Sequence, residues 1–83
     1  MLFLVRQDHA PHECPLESGG TEALHADPKD VEGIKVLAAY GSYAEHALYY
    51  VVETDEYDAI TRFLMPALGR AHAVVTPVSQ FMG

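Results

Sequence analysis

Hydrophobic residues along the chain fall into four compact runs that are separated by polar or glycine-containing segments. Branched and aromatic side chains are frequent in these runs, as they are in β-strands, and the runs cover residues 2–7, 34–40, 47–53 and 71–78. The second and third runs are joined by residues 41–45, which begin with Gly41-Ser42 and predict a hairpin. Pro77 is compatible with the fourth run if that strand lies at an edge of the sheet.

Between the third and fourth runs the apolar residues change to helical spacing. They stand at positions 60, 63, 64, 67 and 68 and predict an amphipathic helix that begins near Asp55, with Thr54 or Asp55 as its N-cap. Pro66 should kink this helix or end it early, and Gly69 suits the exit from it.

The segment between the first and second runs is the least regular. Two prolines and a Gly-Gly pair predict that residues 8–20 are mostly loop, followed at best by a short helix over residues 21–25. Asp27 and Pro28 fit the N-cap and first position of another helical turn, which Gly33 would end. The order β, α, β, β, α, β predicts one α+β domain over residues 1–83, ferredoxin-like, with a four-stranded antiparallel sheet.

Both faces of the predicted hairpin strands are apolar. Strict alternation places Ile34, Val36, Ala38 and Tyr40 on one face of the second strand, while Leu37 and Ala39 lie on the other. A sheet with helices on one side and water on the other would alternate between apolar and polar residues instead. We therefore expect a homodimer through the open sheet face. The alternative is a monomer with an exposed apolar patch.

Composition narrows the possible partners. The formal charge of −7, with five basic residues in the chain, argues against nucleic-acid binding, which needs clustered Lys and Arg. The apolar opening ends at Arg6 and is too short for a signal peptide, and no run is long enough to span a membrane. Cys14 is the only cysteine, as expected in a reducing compartment. We predict a cytoplasmic protein.

The order of these elements, over nearly the whole chain, resembles that of the dimeric α/β barrel superfamily. The likeness is strongest over residues 33–40, residues 47–53, the predicted helix and residues 74–78. That superfamily includes muconolactone isomerases and haem-degrading monooxygenases, so the resemblance implies a fold and a dimer without implying a reaction. The short, glycine-interrupted first helix departs from the usual pattern.

Histidines and the only thiol concentrate near one predicted sheet edge. His9, His12 and Cys14 follow the first strand, and the topology brings the starts of the third and fourth strands, with His46 and His72, to the same edge. Only His25 is expected at the opposite end. The predicted metal ligands are His9, His12, Cys14, His46 and His72, and imidazole and thiolate donors suit Zn, Cu, Ni or Fe, with Glu13 or Asp8 as a further ligand or supporting residue.

Three other interpretations remain open. In the first, the histidines cap turns or begin strands and Cys14 is a small buried hydrophobe. The same edge is also compatible with a small-ligand pocket or an enzyme, in which a histidine is the general base and the wall contains tyrosines from the set Tyr40, Tyr43, Tyr49, Tyr50 and Tyr57. The last interpretation is a module whose only activity is self-association.

Overall fold

The fold is a four-stranded antiparallel sheet with one α-helix in the described part of the chain. A computed structural model describes residues 1–15 and 20–83. The strands are β1 (Leu2–His9), β2 (Lys35–Ser42), β3 (Ala47–Glu53) and β4 (Ala71–Val78), and the helix is α1 (Tyr57–Leu64). Short 3-10 helices cover Pro11–Glu13, Pro28–Asp30 and Met65–Ala67. The sheet order is β2-β3-β1-β4, which confirms the α+β class and the antiparallel sheet.

Strand β1 lies at the centre of the sheet and continues to His9, two residues beyond its predicted end. Asp8 pairs with Ala47 of β3 and with His72 of β4, and His9 pairs with Ala71. Pairing on both sides keeps these polar residues in the strand, although their composition favours a loop. Strand β4 has one neighbour, so Pro77 lies in an edge strand as predicted.

Helix α1 begins two residues later than predicted, since Glu56 is its N-cap. Thr54 instead closes a turn before the helix, where its hydroxyl accepts a hydrogen bond from the Glu56 amide at 3.0 Å. The expectation that Thr54 or Asp55 caps the helix is therefore wrong. Pro66 lies in the 3-10 turn that follows Leu64, and Gly69 has a positive φ of 87°. Both residues end the helix as predicted.

One face of the sheet packs against α1 and the loop before β2. Ile60 and Phe63 of α1 are almost fully buried on this face, as are Val5, Tyr50 and Val52 of the sheet. The rings of Tyr50 and Phe63 meet edge to face, with their centroids 5.3 Å apart. Each of these large side chains contributes about 1.5–3 kcal/mol through burial, so this inner face forms the core.

The opposite face of the sheet is apolar and exposed. Its middle row pairs Ala38, Val51, Leu4 and Thr76 across the four strands. Leu4 is 41% exposed and Val74 is 49% exposed. The predicted second apolar face is therefore present, and we call it the open face.

A β-bulge in β2 corrects the predicted assignment of its side chains to faces. Val36 pairs with Val52 on the inner face, whereas Ala38 pairs with Val51 and Tyr40 with Tyr49 on the open face. The register shift between Val36 and Ala38 inserts one extra residue. Val36 and Tyr40 therefore lie on opposite faces, although strict alternation placed them together.

Residues 20–34 lead into β2 without an α-helix. The short helix expected over residues 21–25 is replaced by turns. Asp27 caps the Pro28–Asp30 turn as predicted, since its side chain accepts a hydrogen bond from the Lys29 amide. The loop predicted over residues 8–20 falls partly, at residues 16–19, outside the described residues. In the described part of the chain, no helix has the length and apolar character needed to cross a membrane.

Candidate metal centre

The β2–β3 turn places His46 at the edge of the sheet where β1 ends and β3 begins. The His46 amide donates a hydrogen bond to the Tyr43 carbonyl at 3.2 Å, and His46 has a positive φ of 52°. This left-handed conformation is uncommon for residues other than glycine, although histidine adopts it more readily than most. The turn thus holds the backbone of His46 in a fixed and somewhat strained position.

A backbone hydrogen bond joins this turn to the end of β1. The His9 amide donates to the His46 carbonyl at 2.9 Å. The two imidazole rings lie almost perpendicular, at 84°, with their centroids 5.8 Å apart. His9 is 7% exposed. Both imidazoles are therefore held at the edge where β1 ends and β3 begins.

The 3-10 turn after β1 brings Cys14 back toward His9. Pro11 occupies the start of the turn, where its fixed φ is favourable, and the Cys14 amide donates to the Pro11 carbonyl at 3.2 Å. The Cys14 side chain is buried and forms no disulfide. Because the turn is only three residues long, the thiol returns to the strand it has just left.

Ligand atoms of His9, Cys14 and His46 all lie within 4.8 Å of one another. A tetrahedral zinc ion, with bonds of about 2.0–2.3 Å, separates its ligand atoms by roughly 3.3–3.7 Å. The present limit of 4.8 Å is longer than that spacing, so the three side chains would have to move closer together to hold an ion. Nδ1 of His46 is buried and has no hydrogen-bond partner among the described residues. Such an atom has lost its water and has a lone pair or proton to satisfy.

The other two predicted ligands lie outside this group. His12 and His72 are both exposed. His72 is paired with Asp8, and successive residues of a strand point to opposite faces, so His72 lies on the open face while His9 points inward. The predicted sheet edge thus brings together three of the five residues.

A cavity of about 240 Å³ lies beside the three-residue group. His9 and His25 are part of its wall, together with Tyr40, Tyr43, Tyr50 and Leu48. Three of the five tyrosines considered in the sequence therefore line this space. Tyr49 lies on the open face and Tyr57 lines a different cavity.

His25 lies at the same end as His9, so its predicted position at the opposite end is wrong. Its ring stacks on Phe63, at 5.2 Å between centroids, and meets Tyr50 edge to face. Its Nδ1 is 2.8 Å from the Ala26 carbonyl and its Nε2 is 2.8 Å from the Thr21 hydroxyl. A neutral ring that donates from Nδ1 and accepts at Nε2 satisfies both contacts. The spacing of four residues between Thr21 and His25 is the sequence signal that could have indicated this pair.

A buried polar pair supports the floor of the cavity. Tyr50 donates to Gln7 Oε1 at 2.8 Å, and Gln7 Nε2 donates to the Leu24 carbonyl at 2.7 Å. Burial raises the pKa of Tyr50 well above its usual value, so its phenol stays protonated. These bonds tie the loop around Leu24 to the centre of the sheet. The sequence gives no clear signal for these bonds, because the first strand is predicted from its apolar residues and Gln7 is a polar residue at its end.

Charged side chains on the open face hold the turn that carries His46. Tyr49 donates to a Glu45 carboxylate oxygen at 2.6 Å, and this bond lowers the pKa of Glu45 and raises that of Tyr49. Arg6 pairs with Asp8 at 2.9 Å and lies 3.9 Å from Glu45. Exposed pairs of this kind are weak individually, but here they link the turn to β1 beside the metal ligands.

Comparisons of the chain with protein-family models, with curated proteins and with solved structures return no match. Any functional assignment therefore depends on the chemistry of the site itself.

Proposed function

We propose that the protein binds one transition-metal ion through His9, Cys14 and His46. The observation that carries this proposal is the convergence of two imidazoles and the only thiol within 4.8 Å, on three different segments of the chain. A buried imidazole nitrogen of His46 without a hydrogen-bond partner in the described part of the chain supports it. An ion would satisfy that atom.

The three donor atoms limit which metal ions the site can bind. Two neutral imidazoles and one thiolate suit borderline ions, which include Zn, Cu, Ni and Fe, and disfavour Mg and Ca. Among these ions zinc accepts mixed nitrogen and sulfur ligands without a strong geometric preference. We therefore expect zinc to be retained when the protein is purified without a histidine tag.

Elemental analysis of untagged protein tests the proposal. We expect about one zinc per chain in the natural protein and in His12→Asn and His72→Asn, because these two residues lie outside the three-residue group. Cys14→Ser and His9→Asn should lose the metal. Circular dichroism of each variant shows whether it is folded, so that loss of metal is measured on folded protein.

Two results would contradict the three-residue site. Sub-stoichiometric metal in all samples, unchanged by Cys14→Ser, would remove the metal function. Loss of metal in His12→Asn or His72→Asn would instead restore these residues as ligands and require the loop or β4 to move on binding.

The fold and assembly that we propose with this function are ferredoxin-like and dimeric. Strands β3 and β4 are parallel with β1 between them and with α1 in their connection, which is the split βαβ arrangement of that fold and supports the assignment. The dimeric α/β barrel superfamily remains the family that the chain resembles in its order of elements.

A second copy of the chain is the partner we propose for the open face. Its apolar centre, around Leu4 and Val51, is bounded by Arg6 and Asp8 at one end and by Glu53 at the other. Such an apolar centre with a polar rim is typical of specific interfaces. Strand spacing and rise make each face about 400 Å² in projection, so two faces approach the size of small specific interfaces.

The other candidate functions use the same cavity or none. A small enzyme, isomerase-like or monooxygenase-like, would use His9 or His25 beside the tyrosines that line the cavity. Because both nitrogens of His25 already have partners, His25 is a weaker candidate for a base than for a wall residue. A pure self-association module would bind neither metal nor ligand. The cytoplasmic location stays a prediction.

A further inference from the structure

The cavity and the three-residue group share a boundary. His9 belongs to both. Pro15, which follows Cys14, and Ala47, which follows His46, also line the cavity. Each proposed ligand therefore either faces the cavity or is adjacent in sequence to a residue that does. An ion held by the three side chains would lie at the cavity wall.

Three protein ligands leave one position of a tetrahedral ion available. Metal sites that act on a small molecule keep such a position, whereas structural zinc sites are closed by four protein ligands. A divalent ion with one thiolate and two neutral imidazoles carries a net charge of +1. The available position therefore favours a monoanion over a neutral molecule.

The remaining cavity wall selects for an apolar body. Tyr50 and Leu48 present a ring and an aliphatic chain, and none of the described lining residues is acidic, although the chain carries a net charge of −7. A volume of about 240 Å³ is below the usual range for drug-sized ligands. It suits a molecule of the size of one substituted ring.

We propose that the cavity binds a small aromatic or aliphatic monocarboxylate whose carboxylate oxygen occupies the available position of the metal ion. This inference rests on the proposed metal function and adds the class of ligand to it. The carboxylate neutralises the site charge, and the ring or chain lies against Tyr50 and Leu48.

Cobalt(II)-loaded protein provides the test, since its visible bands respond to changes in coordination. Benzoate is the probe and neutral benzamide is its control. We expect benzoate to change the cobalt bands saturably and benzamide to leave them unchanged. Ala39→Phe, at an exposed lining residue, adds bulk to the cavity without removing a ligand. It should retain cobalt but weaken benzoate binding by about tenfold or more.

Ala73→Phe is the matched control, because Ala73 is exposed in the same sheet and lines another cavity. It should bind cobalt and benzoate as the natural protein does. Failure to bind cobalt would overturn the metal function and the ligand proposal together. Cobalt bands that ignore benzoate, or that respond to it equally in Ala39→Phe, would overturn the ligand proposal alone.

Discussion

The His9 amide donates a hydrogen bond to the His46 carbonyl, so the end of β1 and the turn before β3 are joined by backbone at the point where their imidazoles meet. The contact does not depend on either side chain. Each histidine can therefore be replaced while the backbone connection remains. That property allows metal binding and folding to be tested separately.

Replacing His46 should remove the metal ion with an effect on stability that depends on the new residue. His46→Gly is expected to stay within about 1 kcal/mol of the natural protein in the absence of metal, because glycine adopts a positive φ without strain. His46→Ala should be about 1 kcal/mol less stable than His46→Gly. Urea unfolding with chelator present, at one protein concentration, measures both differences. Equal or greater stability of the alanine variant would contradict the role assigned to the φ of 52°.

The pair of Gln7 and Tyr50 should contribute to stability as a unit. Gln7→Leu leaves the Tyr50 hydroxyl and the Leu24 carbonyl buried without their partner, and we expect a loss of about 2–3 kcal/mol. Tyr50→Phe should cost about 1–2 kcal/mol. The double variant should lose less than the sum of the two by about 1 kcal/mol. Additive losses in urea unfolding would mean that the two side chains act independently. Tyr40→Phe, at an exposed tyrosine, is the control.

Alkaline pH should destabilise the protein through Tyr50. Burial raises the pKa of Tyr50 in the folded state, whereas the unfolded chain loses this proton near the ordinary value of 10.0. The contribution of protonated Tyr50 to the free energy of unfolding is therefore fully present below about pH 10. As pH rises further the unfolded state binds fewer protons than the folded state, so the free energy of unfolding falls.

Tyr50→Phe provides the comparison for this pH dependence. The free energy of unfolding of this variant should fall less steeply above about pH 10 than that of the natural protein. The two slopes should differ by up to about 1.4 kcal/mol per pH unit. Urea unfolding of both proteins across this pH range measures the two slopes. The same slope in the variant would assign the alkaline transition to other groups.

A charge on the open face should prevent self-association. Leu4 lies in the middle row of that face, so Leu4→Glu would bury a carboxylate against the second copy, which is unfavourable by several kcal/mol. Sedimentation equilibrium should show the natural protein as a dimer at micromolar concentration and Leu4→Glu as a monomer. Met65→Glu, at an exposed methionine in the turn after α1, should leave the dimer intact. A monomeric natural protein would contradict the proposed interface.

Local patterns in the sequence determined most of the secondary structure. The bounds of β3 and β4 follow from runs of β-branched and aromatic residues, and the end of α1 at Leu64 follows from the nearby Pro66. Both signals act over a few neighbouring residues. The apolar second face of the sheet was equally visible, because alternation along a strand is a local property. Residues 21–25 form turns and not the expected helix, and Leu24 within them packs against the core.

Tertiary structure alone decided the composition of the candidate site. The sequence predicted that five residues meet at one sheet edge. Pairing with Asp8 places His72 on the opposite face of the sheet. The bulge in β2 likewise places Val36 and Tyr40 on opposite faces. His25 joined the cavity because its loop folds back along the sheet. Each of these outcomes depends on which backbone atoms pair across the sheet, and a shift of one residue moves a side chain to the other face. Local sequence does not specify that shift.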